Sequence, residues 1–121
     1  MKLYKREDFL KLPKMTIYSR IDNNIAEVCY GLFCKTSDLE YMTGDWVEQD
    51  LIGEGLASKE LTSGTDILDF VLEKRDSFKD FRLDYDLAGR DGMYEDKDTF
   101  VVWDNEDISQ LVNYLLNCIK T

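Results

Sequence analysis

The stretch DYDLAGRDGMYE, residues 84–95, sets Asp84, Asp86, Gly89 and Glu95 at positions 1, 3, 6 and 12 of a twelve-residue calcium loop. The chemistry this spacing offers is coordination of a hard cation by carboxylate oxygens. Two positions oppose it. Ala88, at position 5, has no side-chain oxygen to give, and position 8, normally apolar, is Asp91. Such a loop also joins two helices. Here residues 81–87 alternate as a strand, and the chain after Glu95 runs into FVVW, a second strand pattern. We therefore expect no helix-loop-helix calcium site and no resident metal. An irregular, weak cation site stays open, because close carboxylates attract hard cations.

Paired carboxylates such as Asp84 and Asp86 could also do acid–base work, but neither lies in the apolar surroundings that would raise its pKa. With 25 acids in 121 residues, such pairs arise from composition alone. The chain has no histidine, which removes histidine triads, histidine metal sites and the usual general base near neutral pH. Cys29 and Cys34 are five residues apart in a strand pattern, hence on opposite faces, and no CxxC is present. Buried structural thiols are the better reading. Gly53 and Gly55 lie among acids that repel phosphate and read as turn glycines. No catalytic residue and no cofactor are expected.

The elements that would carry these residues follow from periodicity. KREDFLKLP reads as a short helix halted before Pro13, with Phe9, Leu10 and Leu12 as anchors. MTIYSRI is a strand with Tyr18 and Arg20 on one face and Ile17 and Ser19 on the other. IAEVCYGLFCK alternates Val28, Tyr30, Leu32 and Cys34 against Glu27, Cys29, Gly31, Phe33 and Lys35. A third strand is read over 46–52. TSGTDILDFVLEKRDS is a helix capped by Thr65, with an apolar stripe Ile67, Leu68, Val71 and Leu72. FRLDYDL and DTFVVW form a predicted hairpin over 81–103 around the GRDG turn. The last helix, DNEDISQLVNYLLNCIK, is capped by Asn105 or Asp104 and is expected to bury Ile108, Leu111, Val112, Leu115 and Ile119. The order α-β-β-β-α-β-β-α specifies a single α+β domain over 1–121, a mostly antiparallel sheet of about five strands packed against two to three helices.

Charge narrows the partners. Residues 1–40 hold 7 Lys/Arg against 6 Asp/Glu, net +1, whereas 41–121 hold 8 against 19, net −11. A surface of that sign is repelled by nucleic-acid backbones and anionic membranes and drawn to a basic protein. If 81–87 alternates, Phe81, Leu83 and Tyr85 turn inward and Asp84 and Asp86 point to water. The candidate contact residues are Asp84, Asp86, Asp91, Tyr94, Glu95, Asp96, Asp98 and Asp104, with Asp45, Glu48 and Asp50 as an extension. Tyr41, Trp46, Tyr94 and Trp103 are aromatics beside acids, a combination frequent at interfaces. Three cysteines without paired spacing, no signal-peptide pattern and no long apolar run fit the host-cell cytosol.

DFLKLPKMTIYS, CYGLFCK, WVEQDLIG and GRDGMYEDKDTFVVWDNEDI, taken together and in this order, resemble small acidic uncharacterised proteins encoded by bacteriophages and prophages. The resemblance covers most of the chain, and its motifs are structural rather than catalytic. Where those relatives have glycine after the first proline, this chain has Lys14 and Met15. The resemblance implies a non-enzymatic accessory protein that binds a host or phage protein, as a nucleic-acid mimic or inhibitor of a defence or nucleic-acid-processing protein. The alternatives are a carboxylate-based or metal-assisted hydrolase and a self-assembling structural component.

Overall fold

A computed structural model describes residues 1–21, 30–38, 44–52, 72–73, 75–78, 89–90 and 99–120. Their elements, in chain order, are β1 (Lys2–Lys5), α1 (Arg6–Phe9), β2 (Thr16–Ile21), β3 (Tyr30–Lys35), β4 (Val47–Asp50), β5 (Gly89–Arg90), β6 (Thr99–Val102) and α2 (Asn105–Cys118). Residues 72–73 and 75–77 are helical, within the predicted middle helix. The strands make one six-stranded sheet in the order β1-β6-β2-β3-β4-β5, every described pairing antiparallel. The chain is α+β, as its periodicities require.

The core lies where α1 crosses the sheet. Phe9 stacks on Phe100 with ring centroids 4.5 Å apart and meets Tyr18 and Trp46 edge-on at 4.6 and 4.8 Å. Tyr4, Leu10, Leu12, Phe33 and Val102 pack around this fully buried quartet. Removing a ring such as Phe9 from this site costs on the order of 3–5 kcal/mol. Tyr18 and Ser19 are both buried although they alternate in facing, so β2 is covered on both sides.

Three expectations are corrected. β6 is not half of a simple hairpin: it pairs with β1 on one side and β2 on the other; the other predicted arm is residues 81–87. Those residues lie outside the described set. β1 itself, ahead of the predicted first helix, is an additional strand; KLYK is too short and too lysine-rich to announce itself until β6 supplies ladder partners from Lys2↔Val102 to Lys5↔Thr99. The stripe of α2 is not buried: Val112, Leu115 and Ile119 are exposed, Ile108 and Leu111 only partly covered, and no residue of α2 is buried. Amphipathic spacing makes a stripe, but what covers it is decided by the neighbours the topology brings.

β3 also departs from strict alternation. Tyr18 pairs with Phe33 and Arg20 with Tyr30, so β3 carries one extra residue opposite β2, with Gly31 at φ +72. A bulge of this kind needs left-handed backbone, which glycine adopts without strain. The period of two read along residues 25–35 therefore restarts at the bulge. The turn before β2 is made by Met15 at φ +67.

Candidate functional site

Of the predicted contact residues, Asp104 alone lies among the described ones; Asp84, Asp86, Asp91, Tyr94, Glu95, Asp96 and Asp98 fall outside them, as do Tyr41 and Cys29. Asp104 is the N-cap of α2, its Oδ1 accepting from the Asp107 backbone N–H at 2.9 Å. Its Oδ2 lies 3.1 Å from the Met1 ammonium, which also donates to Asp107 at 2.7 Å. The backbone hydrogen bond from Asp107 first, and the ammonium second, hold the Asp104 carboxyl below its usual range. The two aspartates, chiefly Asp107, push the Met1 amine up from 8.0. Asp104 is thus engaged within the chain, tying its first residue to the last helix.

The proposed extension of the acidic surface is corrected. Asp45 is fully buried, its Oδ1 accepting from the Trp46 N–H at 2.8 Å. Asp50 is half-buried and accepts from the Ile52 N–H at 3.0 Å. Glu48 turns inward, because Trp46 and Glu48 share a face of the chain and Trp46 belongs to the core.

Around Glu48 the structure assembles a polar cluster. β4 brings Glu48, and β2 brings Tyr18 and Arg20, which share a face at spacing two. Glu48 Oε2 accepts from the Tyr18 hydroxyl and from the Arg20 guanidinium, the latter at 2.7 Å, while Trp46 Nε1 donates to the Tyr18 oxygen at 2.9 Å. The Arg20 guanidinium also lies 5.3–5.8 Å from the ring centroids of Tyr18, Phe33, Trp46 and Phe100. Burial, then the Glu48 charge, pushes the Tyr18 phenol well above its usual range. The cluster keeps Tyr18 protonated as a donor and holds Glu48 between a phenol and a cation. Such an arrangement orients three strands against one another; it does not present a free base.

A fully buried cation, Lys35, also ties the chain together. Lys35 is 0 % exposed, and its Nζ donates to the carbonyls of Leu10 at 2.9 Å and Leu12 at 2.5 Å, with Phe9 at 3.5 Å. Leu10 is the C-cap of α1 and Leu12 follows it, so the ammonium sits where carbonyls gather at the negative end of the helix. Cys34, on the other face of β3, is buried and its thiol is pushed up by desolvation, in keeping with a structural role. Trp46 is core, and Trp103 is half-buried with Nε1 donating to Ser19 Oγ at 3.1 Å.

Sequence reasoning set Tyr18 beside Arg20 and Phe33 beside Lys35 but not the joining of Glu48 to Tyr18, which lie 30 residues apart. No local signal carries that pairing. Among the described residues no group of three or more metal-ligating side chains comes together, and no helix is long and apolar enough to cross a membrane. No family model, curated protein or solved structure matches this chain.

Proposed function

We propose that this chain is a non-enzymatic binding protein whose acidic surface engages a basic protein partner, in the bacteriophage or prophage setting that its motifs imply. The observation that carries this is the asymmetry of charge, net −11 over residues 41–121 against +1 over residues 1–40. A surface of that sign steers and selects a positively charged partner. In its sharper form, the acids occupy a nucleic-acid-binding groove on the partner and take the place of phosphates. The inward turn of Asp45 and Glu48 concentrates the proposal on Asp84, Asp86, Asp91, Glu95, Asp96 and Asp98, with Tyr94 among them.

The test is capture from host lysate with the full chain as bait, repeated with Asp84→Lys, Asp86→Lys and Glu95→Lys combined. A bound protein is expected whose retention falls at least about tenfold on charge reversal, and again between about 0.1 M and about 1 M salt as the screening length shrinks. Addition of DNA or RNA should displace it. Retention indifferent to charge reversal and to salt overturns the proposal. Glu48 is unsuitable for this test, since its replacement disturbs the core cluster.

A further inference from the structure

Helix α2 carries Ile108, Leu111, Leu115 and Cys118 at alternating spacings of three and four, the seam of two heptads, with Val112 and Ile119 beside it. The stripe opens toward solvent along its length: Ile108 and Leu111 are partly covered, whereas Val112 is 46 % and Ile119 65 % exposed. A helix of 14 residues is marginal in water and draws most of its stability from packing an apolar face. The stripe therefore calls for a cover.

The charges say which. From Ile108 to Ile119 there is no charged side chain, in a chain of net charge −10. Two copies of like net charge repel one another, and on this face no charged side chain opposes their approach. A basic partner, by contrast, would find no carboxylate on it. The ends of the stripe carry opposite signs, Glu106 and Asp107 before it and Lys120 after it. Antiparallel pairing about a two-fold axis at Asn113 sets Ile108 against Cys118, Leu111 against Leu115, and Glu106 near Lys120 of the second copy. Parallel pairing would set acids against acids and lysine against lysine.

We propose that α2 is a self-association surface on which two copies of this chain pair antiparallel through Ile108, Leu111, Leu115 and Cys118. This contact uses none of the acids at 84–98, so it stands or falls separately from the partner-binding reading.

Sedimentation of the full chain, with and without Leu115→Asp, tests it. Leu115 is already exposed in the single chain, so the substitution removes little packing within it and the β-sheet amides should keep their protection. The wild type is expected to sediment as a dimer that dissociates on dilution, and the variant as a monomer. Ile108→Cys should then form a disulfide with Cys118 of the second copy under mild oxidation, identified by peptide mapping. A wild-type monomer at about 0.5 mM, a concentration where even weak helix pairs associate, overturns the proposal. So does a dimer that survives Leu115→Asp, or a Cys118–Cys118 disulfide. Equal amide protection of α2 in the variant and the wild type would show that the same chain covers the face, and is equally fatal.

Discussion

Gly31 and Met15 share a left-handed backbone, at φ +72 and +67, with opposite consequences. At Gly31 an added methyl group would overlap the Phe33 ring as well as strain the backbone. Gly31→Ala is expected to lower unfolding free energy by about 2–4 kcal/mol, read as a lower urea midpoint. Met15 is largely exposed, so Met15→Gly removes strain and little packing. It should raise stability by about 0.5–1 kcal/mol after glycine's extra chain entropy is subtracted. Lys35→Met keeps the stem but takes the ammonium from the carbonyls of Leu10 and Leu12. A loss of about 2–3 kcal/mol in the same denaturation measurement is expected, because hydrogen bonds from a buried charge are among the stronger ones. The type of each residue was plain from the chain, and Gly31 could be suspected as a bulge. That lysine would be the buried cap of a helix was not, since lysine is rarely buried and its three acceptors belong to a segment more than twenty residues away.

Among the described elements, α2 has an anchoring that depends on pH. The Met1 amine has its pKa raised, so its hold on Asp104 and Asp107 is complete below 8.0 and is lost as pH rises through the higher folded value. Asp104 has its pKa lowered, so its share is complete above 3.8 and is lost as pH falls through the lower folded value. The tether is thus whole between these limits. Amide exchange at Asp107, corrected for intrinsic rates, should be slowest there and speed up on the alkaline side without a change in the β-sheet amides; a flat profile above pH 9 would refute the tether. The helix was legible from its periodicity and acidic first turn. The position of β6 between β1 and β2 was not, because sequence proximity favours a hairpin and only the sheet as a whole reveals which edges are already taken.

For the molecule as a whole the decisive quantity is net charge. A charge of −10 on 121 residues opposes compaction through self-repulsion. Raising sodium chloride from about 0.01 M to about 0.3 M shortens the screening length several-fold and should raise the thermal midpoint by a few degrees. A midpoint that falls would mean that attractive pairs, such as Arg20 with Glu48, outweigh the repulsion. The same screening should weaken a basic partner's grip, so stability and binding are expected to move in opposite directions with salt.

Alternation along β2 and β4, the α1 stop before Pro13, the capped α2 and the acidic excess after residue 40 all follow from near neighbours, because period and charge are local or additive properties. Which acids face water was another matter. Asp45 and Glu48 look in the chain like any other members of an acidic surface, yet one is enclosed and the other is held by Tyr18 and Arg20. α2 looks like a core helix and lies open. Both outcomes depend on which strand lies beside which, a matter of contacts between residues distant in the chain, and that was settled only when the sheet closed around Phe9, Tyr18, Trp46 and Phe100.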